Sequence, residues 1–260
     1  MTEWNASEYA RISALQANMA REVLALLDLK GTERVLDVGC GNGKTTAEIA
    51  ARIPQGSVVG VDASADMIAF AANHGAVHPN LQFAVADARQ LPYQDEFDLV
   101  VSFNALHWIP QQDLALRSIH SALKRDGLAQ LRLVPKGERK SLEDVLEETR
   151  LCSPWAGYFR SFHDPYLRLT PEQYGALAER NGFKVAATRV AAKSWDFLSR
   201  SAFMAFGGVT FVEWTQHLPQ GERLTFATDV LDRYRQVDCD APGEENFFRF
   251  YQMDVTLSPC

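Results

Sequence analysis

The stretch that most constrains this chain runs from Arg34 to Thr46, where a short apolar run is followed by Gly39, Gly41 and Gly43. The apolar run, residues 35–38, predicts a buried strand, and residues 45–52 have apolar side chains at helical spacing. A glycine turn between a strand and a helix lets a ligand approach backbone N–H groups closely. The stretch therefore predicts an α/β protein with a ligand at this turn.

The spacing of the glycines separates three kinds of ligand site. A phosphate-binding P-loop requires G-x-x-x-x-G-K-[ST], and Val38 stands where its first glycine would be. A dinucleotide fingerprint requires G-x-G-x-x-G, and Gly43 comes one residue early for it. What remains is G-x-G-x-G preceded by Asp37. A glycine-rich turn without a ligand stays open as an alternative.

A second acidic position follows the next apolar run, residues 57–61. Asp62 comes directly after this run and about twenty residues beyond the glycine turn, where Rossmann folds place an acid that binds ribose. Ala63 to Met67 continues the pattern D-x-S-x-x-M and opens a predicted helix. Helix capping is the simpler role for a lone Asp, but the register with the glycine turn favours ribose binding.

The third predicted strand, residues 81–85, is also followed by an acid. The Asp87 carboxylate is a candidate acceptor for an adenine amine, and the backbone N–H of Ala88 is a candidate donor to the ring. A turn role for Asp87 is the alternative. With the glycine turn and the second acid in register, adenine binding is the favoured interpretation.

The fourth predicted strand, residues 97–103, leads into Asn104, His107 and Trp108. Ligands bind at the carboxyl ends of strands in open parallel sheets. Asn104 is therefore a candidate for the amino-acid end of a cofactor, and His107 and Trp108 are expected to face a substrate. An enclosed structural role for His107 and a pocket wall for Trp108 stay open.

Composition limits the partners and the compartment. The 260 residues carry a net charge of −7 without a run of Lys or Arg, which disfavours nucleic acid as a partner. No apolar stretch of about 18 residues occurs, so no membrane span is expected, and the first residues lack a secretory signal pattern. The four cysteines have no C-x-x-C spacing, so reduced thiols in a cytoplasmic protein are expected, without a metal site.

Alternating strands and helices predict a doubly wound, mostly parallel seven-stranded sheet of Rossmann-like type. Helices are expected over residues 7–29, 45–52, 66–74, 114–123, 136–150 and 171–181, and in pieces over 199–236 broken at Gly207-Gly208 and Pro219. The fifth strand is expected over residues 128–134, and later strands over 183–197 and 247–257, the last one antiparallel at the edge.

One domain, residues 1–260, is expected, with a functional division along the chain. Residues 1–30 form a helix over the cofactor, and residues 31–134 form the core that binds it. Residues 135–182 and 199–240 form an aromatic-rich helical lid or substrate region, with an ordinary extension of the core as the alternative. The edge strands fall at 183–198 and 247–257.

Together these motifs resemble the small-molecule branch of the class I S-adenosylmethionine (SAM) methyltransferases. Within it, Trp4-Asn5-Ala6 with Tyr9, and the segment from Leu106 to Ile109, resemble the trans-aconitate, juvenile hormone acid and malonyl-carrier-protein carboxyl methyltransferases. The resemblance implies SAM as cofactor and S-adenosyl-L-homocysteine (SAH) as product. The cofactor-binding residues that it implies are Asp37, Gly39, Cys40, Gly41, Asp62, Ala63, Met67, Asp87, Ala88 and Asn104.

The expected reaction is in-line methyl transfer to a carboxylate oxygen of a small molecule. A carboxylate is already ionised at pH 7, so alignment can supply most of the acceleration. Gln16, His107 and Trp108 are the candidate catalytic residues, and Tyr9, Arg11 and His163 the candidates that bind the acid. The oligomeric state stays open.

Several alternatives remain from the sequence alone. Methylation of a nitrogen, carbon or hydroxyl oxygen would require His107 or His163 as a base. Arsenite methylation would require clustered cysteines, which the chain lacks. A methyltransferase fold that binds SAM without turnover is the alternative outside enzymes.

Overall fold

A computed structural model describes residues 13–75 and 78–260 of the protein. Its strands are β1 (Arg34–Val38), β2 (Ser57–Asp62), β3 (Leu81–Val85), β4 (Phe97–Phe103), β5 (Leu123–Leu133), β6 (Phe183–Asp196) and β7 (Phe247–Pro259). Its α-helices are α1 (Ser13–Leu26), α2 (Lys44–Arg52), α3 (Ala65–Gly75), α4 (Gln112–Ala122), α5 (Leu142–Arg150), α6 (Pro171–Arg180), α7 (Arg200–Thr210), α8 (Val212–Thr215) and α9 (Arg223–Asp238). Short 3₁₀ turns span Leu106–Trp108, Trp155–Phe159 and Gln220–Glu222.

The seven strands form one sheet in the order β3-β2-β1-β4-β5-β7-β6. The first five pair in parallel, and β7 is antiparallel to both β5 and β6. The prediction of a doubly wound, mostly parallel seven-stranded sheet is confirmed. The antiparallel strand itself lies one place in from the edge, because β6 pairs along its outer side.

Both faces of the sheet are covered by helices. Val35 packs with Leu24 of α1 and Ile49 of α2 on one face. Leu36, the next residue of β1, packs with Ile119 of α4 on the opposite face. This alternation explains why the first strand is an almost continuous apolar run, since it is buried on both sides.

Several predicted boundaries were wrong. In the described part, the first helix ends at Leu26, and the helix expected from residue 136 begins only at Leu142, because Ser141 forms a capping box with Asp144. The strand expected from residue 128 already begins at Leu123. The Gly207-Gly208 pair lies inside α7 and does not break it.

The region expected to form a lid has an aromatic core of its own. Trp155, Phe203, Trp214 and Phe226 are buried there and pack with Phe248 and Phe250 of β7 and with Leu15 of α1. Helices α5 and α7–α9 are therefore anchored to the carboxyl edge of the sheet by large apolar side chains. Whether the region closes over a ligand stays a prediction.

Candidate active site

The glycine turn after β1 adopts a conformation that side chains disfavour. Gly39, Gly41 and Gly43 have φ angles of 77°, 53° and 74°. The N–H groups of Gly39 and Cys40 both donate to the carbonyl of Val61, at 2.8 and 3.0 Å. The turn is thereby fixed against the end of β2, at the edge where the chain reverses its direction of winding.

Two of these glycines differ in what surrounds them. A Cβ added to Gly39 would lie 2.3 Å from the Cβ of Ala105, so close packing against the loop after β4 requires glycine there. Apart from the two chain neighbours of Gly41, none of the described residues has an atom within 4 Å of a Cβ added there. Gly41 therefore presents bare backbone to open space, which is the arrangement that a ligand lying on the turn requires.

Asp62, at the end of β2, is bonded directly to this turn. Its Oδ2 accepts from the N–H of Gly41 at 2.9 Å, and its Oδ1 accepts from the N–H of Ser64 at 2.9 Å. Ser64 in turn accepts from the N–H of Met67 through its hydroxyl, and the Met67 side chain is buried. Ala63, between them, is exposed. The motif from Asp62 to Met67 thus links β2, α3 and the glycine turn.

Asp37 lies beneath the turn with only 2% of its surface exposed. Its Oδ2 accepts from the hydroxyl of Thr46 at 2.7 Å. Burial, reinforced by the neighbouring charge of Asp62 and opposed by the bond from Thr46, raises the pKa of Asp37 to about 7. Asp37 therefore faces the inside of the turn and joins β1 to α2.

Cys40 is also enclosed by the turn. Its thiol is buried, and burial together with the charges of Asp37 and Asp62 raises its pKa well above the ordinary value. A thiol held in its protonated form is a poor nucleophile. The structure therefore gives this cysteine a packing role at the turn.

The Asp87 carboxylate, after β3, is held by its neighbour Arg89. Three nitrogens of Arg89, including the backbone N–H, donate to it at 2.6 to 3.0 Å, and this bonding holds the pKa of Asp87 below its ordinary value. Arg89 also donates to Gln111 at 3.0 Å. Ala88 is buried beside this pair. The sequence did not predict that an arginine would share Asp87.

Asn104 follows β4 in a left-handed conformation with φ of 57°. Its N–H donates to the carbonyl of Arg132 at 2.9 Å, and its amide nitrogen lies 3.8 Å from the sulfur of Met19. Asn104 therefore contacts α1, the helix expected to cover the cofactor. Gln16 belongs to the same helix, whereas Tyr9 and Arg11 lie outside the described residues.

His107 is enclosed, with 3% of its surface exposed. Its Nδ1 accepts from the N–H of Val134 at 3.4 Å. Burial, with a smaller contribution from the charge of Arg168, lowers the pKa of His107 to about 3. The imidazole is therefore neutral near pH 7, and one of its nitrogens is already bonded. His163, the other predicted imidazole, lies exposed in the loop after the second 3₁₀ turn.

Trp108 is partly buried among other aromatic rings. Its ring centroid lies 4.6 Å from that of Tyr166, and Tyr166 lies 4.7 Å from the imidazole of His107. Trp214 of α8 packs on Trp108 at 6.3 Å. The structure thus forms an aromatic wall at the carboxyl end of β4, which the sequence predicted only for Trp108.

The sequence also missed a polar network under α1. Arg132 of β5, only 3% exposed, donates to both carboxylate oxygens of Asp254 at 2.6 and 2.9 Å and approaches Glu22 of α1 at 3.4 Å. Gln252, on the same strand as Asp254, is 2% exposed, and neither atom of its amide finds a hydrogen-bond partner among the described residues. The sequence signal that could have predicted this network is the pair Gln252 and Asp254, two polar residues at alternating positions of β7.

Comparison with known proteins identifies the family. A methyltransferase domain family matches residues 35–127. Trans-aconitate 2-methyltransferase of Deinococcus radiodurans is 30% identical over 257 residues, which cover 95% of this chain and 95% of that protein. The chain belongs to the class I SAM-dependent methyltransferases. The prediction of this family is confirmed, and SAM is the methyl donor of the enzyme.

Several solved structures share the fold at low identity. The YcgJ protein of Bacillus subtilis superposes with a TM-score of 0.66 at 18% identity, covering 93% of this methyltransferase and 97% of that chain. Phosphoethanolamine N-methyltransferase 2 of Haemonchus contortus, solved with S-adenosyl-L-methionine, has a TM-score of 0.59 at 18% identity, covering 94% of this chain and 53% of that one. Among the described residues, no helix of the methyltransferase is long and apolar enough to cross a membrane.

Proposed function

We propose that this methyltransferase transfers the SAM methyl group to a carboxylate oxygen of a small acid. The observation that carries the proposal is the enclosure of His107, whose Nδ1 already accepts from Val134, so that the ring proton lies on Nε2, and whose pKa of about 3 makes it a weak base. Such an imidazole is poorly suited to remove a proton from a hydroxyl or an amine. A carboxylate acceptor requires no base, since it is ionised at pH 7. The trans-aconitate 2-methyltransferases among the relatives support the same acceptor class.

The geometry of the glycine turn supports a definite position for the donor. We infer that SAM lies over Gly41, where the backbone is open, and that Asp62 binds the ribose. A carboxylate has about four acceptor sites, and three nitrogens of Arg89 donate to Asp87, which leaves about one site for an adenine amine. Asp37 acts from beneath, by holding the turn through Thr46 rather than by contact.

The remaining work of the enzyme is binding and alignment. Bound SAM supplies a methyl group on a positively charged sulfur. The aromatic wall formed by Trp108, Tyr166 and Trp214 shapes the acceptor side and excludes water from it. His107 supports this wall from behind, since its ring packs on Tyr166. Holding two reactants in line can supply a large share of the acceleration.

Transfer of a radiolabelled methyl group tests the proposal. The enzyme is incubated with labelled SAM and, separately, with dicarboxylic and tricarboxylic acids, phenols and amines. We expect label on acids only, and we expect mild alkali to release it as volatile methanol, because methyl esters hydrolyse under these conditions. Enzyme incubated with an excess of SAH is the control. Alkali-stable label on a phenol or an amine would contradict the proposal, and SAM binding without transfer to any acceptor would favour a binding protein.

A further inference from the structure

A cleft of about 350 Å³ opens beyond the carboxyl end of β5, between the segment after Val134 and the facing ends of β6 and β7. This volume is within the range of small-molecule sites. Six cationic residues and one carboxylate, Asp144, line the cleft. The cationic residues are Lys136, Arg139, Lys140, Arg168, Lys193 and Arg249. All of these cations except Lys136 form ion pairs with carboxylates of the described residues, so the lining is cationic while the charge around it is largely balanced.

Most carboxylates that pair with these cations lie outside the lining. Arg139 pairs with Asp238 and Asp240, and Lys193 pairs with Glu22 of α1. The lining therefore contains the cations, and of their described carboxylate partners it contains Asp144 alone. Among the residues that the structure describes, Lys136 forms no ion pair, and its side chain is exposed.

Arg168 provides an independent sign of a ligand. Its side chain is only 12% exposed, and its Nη2 contacts Asp144 at 3.2 Å and Asp164 at 3.3 Å. Its Nη1 is buried and has no hydrogen-bond partner in the described part of the chain. A buried charged donor without a partner is costly, and an anion that draws the guanidinium toward the cleft would satisfy it.

The cleft shares walls with the predicted acceptor side of the active site. Val134 lines the cleft, and its N–H donates to the imidazole of His107. The guanidinium of Arg168 lies 5.1 Å from the ring centroid of Tyr166, whose other contacts include Trp108. The cleft and the aromatic wall are therefore joined through Val134 and Arg168.

We propose that this cleft is a binding site for small polycarboxylates and that it holds the carboxylates of the acceptor that do not react. The second half of this statement rests on the proposed function. Lys136 contributes an uncommitted ammonium, and Arg168 contributes its unpartnered Nη1. Hydrogen bonds between ionised partners are stronger than neutral ones, so these two residues select acceptors with several charges.

Titration calorimetry with citrate, in the absence of SAM, tests the site. The variants are Lys136→Gln, Arg168→Lys and, as a matched control, Lys184→Gln, an exposed lysine of β6 outside the cleft. We expect citrate affinity to fall about tenfold in each cleft variant, and to weaken with added salt as charged contacts do. Binding of SAH is measured for every variant and is expected to be unchanged, which shows that the protein is folded.

The results separate this inference from the proposed function. Failure of citrate to bind, or equal affinity in the cleft variants and the Lys184→Gln control, would overturn the site. If acids are methylated but the KM for a tricarboxylate does not rise in Lys136→Gln, the proposed function stands and the cleft assignment falls. If citrate binding depends on Lys136 but no acid is methylated, the anion site stands and its assignment to the acceptor falls.

Discussion

The carboxylate of Asp62 accepts a hydrogen bond from the N–H of Gly41 at 2.9 Å. The acid expected to bind the ribose therefore also organises the turn that carries the open glycine. Asp62 also accepts from the N–H of Ser64, so the same carboxylate holds both the glycine turn and the start of the segment that follows β2. A substitution at Asp62 should consequently affect both ligand binding and the unliganded protein.

We expect Asp62→Ala to weaken SAH binding by at least about tenfold, a loss of about 1.4 kcal/mol. It should also lower the free energy of unfolding by about 1 kcal/mol, because two backbone donors lose their acceptor. Asp62→Asn keeps an acceptor oxygen and should retain more of the stability than of the affinity. Calorimetry with SAH and urea unfolding measure the two effects, with the exposed Asp126→Ala as control. Unchanged affinity in Asp62→Ala would exclude the ribose assignment.

The two glycines of the turn allow a paired comparison. Gly39→Ala should destabilise the unliganded enzyme by about 1–3 kcal/mol, because the new methyl group overlaps Ala105. Gly41→Ala has room in the free protein and should lose only about 1 kcal/mol to its positive φ. Its affinity for SAH should nevertheless fall at least about tenfold, since the new methyl group stands where the cofactor is proposed to lie.

Urea unfolding and SAH calorimetry on both variants check this comparison. Gly221→Ala is the control, because an added Cβ there meets no described atom within 4 Å and its φ is not positive. The position of the donor would be wrong if Gly41→Ala bound SAH as tightly as Gly221→Ala does.

The raised pKa of Asp37 makes stability depend on pH. A free Asp has a pKa of about 3.9, and Asp37 in the folded enzyme has one of about 7. At a pH between these two pKa values, Asp37 keeps its proton in the folded state and has released it in the unfolded state. The free energy of unfolding should therefore fall as pH rises from about 4 to about 7, by at most ~4 kcal/mol.

Asp37→Asn cannot ionise and should lack this slope, while its amide oxygen can still accept from Thr46. Urea unfolding at pH 5 and pH 8 measures the difference between the two proteins. We expect Asp37→Asn to gain stability relative to the native enzyme at the higher pH. Parallel curves for the two proteins would show that Asp37 is ionised in the fold.

Gln252 carries a buried amide whose two ends lack partners among the described residues. Gln252→Leu should raise the free energy of unfolding by about 1–3 kcal/mol, since it replaces an unpaired polar group with an apolar side chain of similar size. Gln130→Leu on the neighbouring strand is the matched control, because Gln130 accepts from Thr256 at 2.7 Å and its loss should not stabilise. A less stable Gln252→Leu, measured by urea unfolding, would mean that the amide has a partner in solution.

The first half of the fold could be predicted from sequence because local signals agree there. The run from Val35 to Val38, the glycines after it and Asp62 are close together in the chain, and the predicted strands β1 to β4 match the structure closely. The family followed from the same residues. The ends of helices after residue 134 were harder to predict from sequence. They depend on caps such as Ser141 and on the packing that keeps Gly207-Gly208 inside a helix.

The site depends more on contacts between distant residues. The enclosure of His107 requires Val134 and Tyr166, and neither is near it in sequence. The cationic cleft draws on residues from Lys136 to Arg249, which no spacing rule connects. Arg89 is only two residues from Asp87 in the sequence, but an Asp-x-Arg pattern does not show whether the two side chains bond to each other or to water.

The position of β7 has a consequence for how the enzyme is made. β7 follows β6 in the sequence, yet it lies between β5 and β6 in the sheet and bonds to both. During synthesis on a ribosome, β6 emerges with no place to dock until residues 247–259 have followed it. The nascent enzyme must therefore carry two unpaired strand edges until residues 247–259 have emerged, and such edges are where newly made chains associate wrongly.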